Sequence, residues 1–217
     1  MHSKINDLFD KLAYSTPNPK IVSILKSNSN LLGHRILDLC CGSGRYSGIL
    51  INSLGKEVVG IDHDQNLIQK AYNKYGRKKG LRFSCKDIKS FNSIKKFSSI
   101  VFLGNSISHF SIKEMEKIIF KYKNYLQKGG IFVIELSLPT TLLSMKKMKW
   151  NGVIEDVLSF SEKTGKLKRS MSLNGKKFIF YCYVWFPFIL DYILQRSEMK
   201  LIKSYRNGNS LVLFYGK

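Results

Sequence analysis

The chain has 217 residues, 44% hydrophobic and 24% charged, and its 36 Lys and Arg against 15 Asp and Glu give a formal net charge of +21. That length supports one well-buried core, and no stretch has the composition of a linker, so a single domain over 1–217 is expected. The cysteines at 40, 41, 85 and 182 lack C-x-x-C spacing, which excludes a patterned zinc site or a disulfide framework and points to a metal-free protein in a reduced, cytoplasmic setting. Within the helical segment expected over 1–30, "MHSKINDLFDKLAYSTP" sets Ile5, Leu8, Phe9 and Leu12 on one face, a pattern unlike a signal peptide. Pro17 and Pro19 interrupt it, and "KIVSILKSN" resumes as a helix before a strand at Arg35 to Leu39. A helix from near Arg45 closes at Gly55, and "EVVGID" is a second strand. Asp64 caps a helix that carries Leu67, Ile68, Ala71 and Tyr72 and stops at Gly76. "LRFSCKDI", ending in Asp87, and "SSIVFLGN" are the third and fourth strands. Ser111 and Glu114 form a capping box for a helix to Leu126 with Met115, Ile118, Ile119 and Tyr122 buried, halted by Gly129 and Gly130 before the fifth strand, "IFVIEL".

This alternation predicts a parallel sheet with helices on both faces. From residue 151 to 186 the pattern changes to an antiparallel insert, with turns at Thr164-Gly165 and Asn174-Gly175. A helix from about Pro187 to Arg196 and a terminal hairpin, "KLIKSY", "RNGN" and "SLVLFYG", complete the chain. The longest apolar run, Phe178 to Leu190, contains Pro187 and is shorter than the about 20 residues of a membrane-spanning helix, so no stable membrane insertion is expected. The lysines are spread along most of the chain, which favours a solvated basic surface over a dedicated polyanion groove.

The stretch "RILDLCCGSGRYSGIL" runs from strand through Gly42 and Gly44 into helix, aiming backbone N–H groups and a positive helix end at one spot. The G-x-G-x-x-G fingerprint is only partly met, because Ser47 stands where the third glycine belongs. On this motif alone a nicotinamide cofactor, a phosphate ligand and S-adenosylmethionine all remain open.

Taken in order, "ILDLCCGSG", "VVGID", "CKDI", "FLGNSISHF", "YLQKGGIFVIE" and the terminal hairpin resemble the class I S-adenosylmethionine-dependent methyltransferases. The similarity is greatest to the glycine N-methyltransferase-like enzymes that act on small molecules. It implies an α/β, Rossmann-like, mostly parallel seven-stranded sheet of order 3-2-1-4-5-7-6, its last strand reversed, with the antiparallel insert after strand five. It also implies S-adenosylmethionine as cofactor and S-adenosylhomocysteine as product.

Carried over residue by residue, the resemblance sets Asp38 to hold the methionine ammonium group, and Gly42 and Gly44 to admit the ligand to the backbone. Cys40 is a small packing residue of that loop rather than a nucleophile. Asp62 offers two oxygens to the ribose hydroxyls, and His63 flanks the adenine. Asp87 meets the adenine amino group, or caps the loop that follows, and Ile88 offers a backbone N–H and an apolar wall. Leu103 and Gly104 line the methionine moiety, Asn105 faces the acceptor, His109 sits against the cofactor, and Tyr14 reaches over it. Asn105, Tyr14, Glu135 and His109 are the candidates to orient an amine or accept its proton. Ser137 stands where glycine N-methyltransferase has a carboxylate-binding arginine, which argues against glycine as the acceptor. No N-P-P-Y or D-P-P-Y grip for a nucleobase amine is present. Transfer to nitrogen or oxygen of a small-molecule acceptor is therefore expected, with RNA or protein as the alternative because of the basic surface, a non-catalytic cofactor-binding protein less favoured, and the insert serving as lid, acceptor pocket or homodimer surface.

Overall fold

The structure, a computed structural model, describes residue 10 and residues 16–76, 78–144, 147–150, 152–173 and 175–217. Tyr14 and the apolar stripe at Ile5, Leu8, Phe9 and Leu12 lie outside the described residues. Helix α1 (Pro19–Ser27) opens where the Asn18 side chain accepts from Lys20 N at 3.0 Å, and Pro19 occupies a first-turn position that needs no N–H. One further turn, α2 (Ser29–Leu32), leads into β1 (Arg35–Leu39). Next come α3 (Arg45–Asn52), β2 (Glu57–Asp62), α4 (Gln65–Tyr75), β3 (Leu81–Cys85) and β4 (Phe97–Phe102). A 3-10 turn, Ser106–His109, precedes α5 (Ile112–Tyr122), β5 (Leu126–Ser137) and α6 (Pro139–Ser144). The insert supplies β6 (Lys147–Trp150), β7 (Val153–Ser161), β8 (Lys166–Leu173) and β9 (Lys176–Tyr183). Helix α7 (Pro187–Arg196), β10 (Lys200–Asn207) and β11 (Ser210–Gly216) close the chain.

The main sheet has the order β3-β2-β1-β4-β5-β11-β10, and the insert strands form a separate antiparallel sheet in sequence order. With the insert discounted, β10 and β11 are the expected strands six and seven. Strand β11 lies antiparallel to both neighbours, with Val212 opposite Glu135 and Tyr205. The fold is thus the Rossmann-like methyltransferase fold with helices on both faces. One core, carrying Met115, Ile118, Ile119, Leu190 and Leu194, lies under α5 and α7; the other, carrying Ile21, Leu25, Leu50 and Ile68, lies under α1, α3 and α4. Fully buried Phe102, Phe132 and Phe214 contribute about 1.5–3 kcal/mol each as an upper estimate, so the strand middles carry the stability and their carboxyl ends are free to hold polar loops.

Several expected boundaries move. Helix α5 has its capping box, and its four expected residues are buried, but it ends at Tyr122 rather than Leu126. Tyr122 donates to Ile88 O at 2.8 Å and packs edge-on against Tyr125, which turns the chain early and makes Leu126 the start of β5. Gly129 and Gly130 then lie inside the strand, where β4 pairs with β5 through a register shift between Phe97 and Ser99. Strand β3 stops at Cys85, because Asp87 forms a turn with Lys89. Tyr72 is 40% exposed, and its hydroxyl donates to Phe83 O at 2.6 Å. The antiparallel sheet begins at Lys147, ahead of the expected 151, since the lysine-rich "KMKW" alternates with the period of a strand.

Candidate active site

The carboxyl ends of β1, β2, β4 and β5 bring the candidate residues together. Gly42 (φ 55°) and Gly44 (φ 78°) turn the chain from β1 into α3, and Cys40 between strand and loop also has positive φ, 57°. At Gly44 a Cβ would lie 2.6 Å from the Phe83 ring, so glycine is required there twice over, by backbone and by space. At Gly42, among the described residues, only a Leu67 methyl at 3.9 Å comes within 4 Å of such a Cβ.

Asp62 closes this loop onto β2. Its Oδ2 accepts from Gly42 N at 3.0 Å and its Oδ1 from Asp64 N at 2.9 Å, and each oxygen retains a second lone pair. Asp38 is buried, and burial pushes its carboxyl up to about 7 despite the bond from Ser47 Oγ at 2.6 Å; Asp62 adds to the rise and Arg45 opposes it. Serine in the third-glycine position is therefore a hydrogen-bond partner of Asp38. The close helix packing that a third glycine serves has moved to Gly48, where a Cβ would lie 2.2 Å from the Tyr75 ring. Burial, with Asp62, Asp38 and Asp87 nearby, pushes the Cys40 thiol well up, so it stays a neutral packing group.

Two ties fix the loop after β4. Gly104 N donates to Glu135 Oε2 at 2.7 Å, and the Asn105 side-chain Oδ1 accepts from Ser137 N at 2.9 Å, with Gly104 and Asn105 both at positive φ. Glu135 is buried, and its carboxyl is raised by burial against the Gly104 bond and the Arg45 charge. The Arg45 guanidinium donates to Thr16 O at 3.3 Å and stands where a Gly104 Cβ would come within 2.5 Å of it, so glycine is what lets it lie on that backbone. Nothing in the composition of the motif marked Arg45 for this place; Ser47, the residue that broke the glycine fingerprint, was the readable signal.

The remaining candidates are more peripheral. His63 is 67% exposed, its ring 3.5 Å from Asp62, and His109 is exposed at the end of the 3-10 turn. Asp87 is exposed and accepts from Lys89 N at 2.7 Å, the loop-capping alternative. Ile88 and Leu103 are buried on opposite sides of the sheet. From the N-terminal segment, Asp10 reaches the site, accepting from Lys70 Nζ at 2.9 Å and from the Ser43 hydroxyl. Strand β9 of the insert runs beside the 3-10 turn, and Trp185 Nε1 donates to Phe110 O at 3.1 Å. Among the described residues no cluster of His, Cys, Asp and Glu has the arrangement of a metal site, and no helix is long and apolar enough to cross a membrane.

The sheet order and the strand-end loops are those of the Rossmann-like methyltransferase fold. Residues 36–130 match the methyltransferase-domain family. A phosphoethanolamine N-methyltransferase of Triticum aestivum is 30% identical over 114 residues, 52% of this chain and 22% of that protein, so the chain spans about a fifth of its wheat relative. Among solved structures, an S-adenosylmethionine-dependent methyltransferase from Clostridium acetobutylicum superposes with a TM-score of 0.74 at 19% identity, covering 99% of this chain and 98% of that one. The CcbJ methyltransferase from Streptomyces caelestis gives 0.82 at 17% identity, covering 97% and 95%.

Proposed function

We propose that the protein transfers a methyl group from S-adenosylmethionine to a nitrogen or oxygen of a small-molecule acceptor. One observation carries this reading: two buried carboxylates, Asp38 and Asp62, stand at the ends of neighbouring strands beside the positive-φ turn of Gly42 and Gly44. An acid at Asp38 suits an ammonium group and disfavours the pyrophosphate of a dinucleotide, while Asp62 offers its two oxygens to a ribose diol. The name of the wheat relative supports nitrogen as the acceptor atom.

S-adenosylmethionine, when bound, supplies an electrophilic methyl group on a sulfonium. Asp38, Asp62 and the Gly42 to Gly44 backbone are the groups to hold it, with Gly104 and Leu103 along the methionine moiety. Asn105, fixed by Ser137 N, orients the acceptor through its amide, and the gain comes from holding nucleophile and methyl in line. Glu135, raised by burial, is placed to take a proton from an attacking amine, and His109 and Tyr14 are the other candidates from the sequence.

The net charge of +21 favours a second reading, in which RNA is the substrate. Incubation with methyl-labelled S-adenosylmethionine and an extract divided into metabolite, protein and RNA fractions separates them. Label is expected in the metabolites and reduced by Asn105→Ala; label confined to RNA at salt that disrupts nonspecific complexes reverses the assignment.

A further inference from the structure

Helix α7 presents two aromatic rings to solvent one turn apart: Phe188 is 70% exposed and Tyr192 is 61% exposed. Leu201, 48% exposed, extends this surface, because it pairs with Tyr215, whose ring lies in the core beneath α7. Cations stand around this apolar centre. The Arg196 guanidinium lies 5.8 Å from the Tyr192 ring and joins Glu116 of the adjacent helix α5, which exposes Lys113 and Lys117 one turn apart. The nearby acids are engaged: Glu116 holds Arg196, and Asp191 accepts from Gln195 at 2.6 Å.

We propose that this face of α7 and α5 docks the protein on a bilayer surface containing anionic phospholipid. An apolar centre bordered by long cationic side chains matches the interface, where aromatic rings enter the headgroup boundary and lysines reach the phosphates. A single strand of RNA calls for a cationic groove that tracks its backbone beside the stacking rings, and here the cation at the Tyr192 ring, Arg196, is engaged by Glu116. The +21 charge supplies attraction toward the anionic surface, and the rings supply the part that ionic strength does not screen. This docking is peripheral and uses side chains that are not among those proposed to hold the cofactor, so it stands or falls apart from the proposed reaction.

The test is co-sedimentation of the intact protein with vesicles of phosphatidylcholine alone and of phosphatidylcholine mixed with phosphatidylserine. Binding is expected only to the mixed vesicles, and the double variant Phe188→Ser, Tyr192→Ser should weaken it at least about tenfold while S-adenosylhomocysteine affinity is unchanged. Lys113→Gln with Lys117→Gln should weaken it as well. As a gain of signal, Phe188→Trp should show fluorescence quenched by brominated lipid beyond the response of the parent protein. Equal vesicle binding by the ring variant overturns the proposal. A self-association in solution abolished by the same variant, without vesicle binding, assigns the face to a second copy instead, and loss of binding to a single-stranded RNA oligomer in its place assigns it to nucleic acid.

Discussion

Ser47 Oγ donates to Asp38 Oδ2 at 2.6 Å inside the protein, and it is the group that most lowers a carboxyl otherwise raised by burial. The folded Asp38 titrates near 7 against 3.8 for the free group, so its contribution to stability is complete below 3.8 and is lost as pH rises toward about 7. A ligand ammonium reverses this, since it favours the ionised form. Binding of S-adenosylhomocysteine should therefore release a proton below about 7 and strengthen with pH, by up to about tenfold per pH unit, before levelling. Ser47→Ala should move the plateau to higher pH, and Asp38→Asn should bind more weakly with the slope removed. Calorimetry in buffers of different ionisation enthalpy reads both the proton and the plateau.

Asn105 joins β4 to β5 by two independent means, a left-handed backbone (φ 58°) and the bond from Ser137 N. Asn105→Ala loses both and should cost about 2–3 kcal/mol; Asn105→Gly restores the backbone freedom and should recover about 1 kcal/mol of that. Methyl transfer should fall in both variants, because neither holds the acceptor side of the loop. Full turnover in Asn105→Gly, beside the urea midpoints of the two proteins, would reduce the side chain to a structural tie.

The strand order and the reversed β11 followed from the family resemblance, whereas the capping box at Ser111 and the strand-end acids at 38 and 62 were legible because each is written in a residue type at an element end. The exchange of roles between Ser47 and Gly48 was not. It depends on the Tyr75 ring arriving from α4, a tertiary contact that the glycine spacing does not encode. The early end of α5 has the same origin, in Tyr122 reaching Ile88 O. The anchor at Ser137 was hidden for a different reason: a backbone N–H leaves no trace in the sequence of the side chain that caps it.

Gly44 and Gly55 share a positive φ, 78° and 62°, and differ in surroundings. A Cβ at Gly55 meets nothing within 4 Å, whereas at Gly44 it meets Phe83 at 2.6 Å and Ala71 at 3.2 Å. Gly55→Ala should cost about 1 kcal/mol for the backbone alone, and Gly44→Ala about 3 kcal/mol, the excess being overpacking. Denaturation of the Gly44→Ala protein in a Phe83→Leu background should show that excess shrinking; additivity of the two changes would mean that the ring is not the obstacle.

Glu155 and Arg169 form an ion pair at 2.6 Å on the apolar face of the antiparallel sheet, with side chains only 4% and 8% exposed. Met171, opposite Glu155, and Phe180, opposite Arg169, belong to that face, and Arg169 Nε is buried without a partner. In such surroundings the attraction within the pair is offset by the loss of hydration of both charges. Removing either side chain takes a charged partner from the other inside the sheet, so Glu155→Leu and Arg169→Met should each destabilise by about 3–5 kcal/mol. The double replacement Glu155→Leu, Arg169→Met removes both charges and keeps the volume, and it should return stability to within about 1 kcal/mol of the parent or above it. Urea unfolding of the four proteins forms the cycle. A double variant as unstable as the sum of the single changes would show that the sheet needs the pair itself, and would move the explanation from desolvation to a specific role for these two charges in the insert.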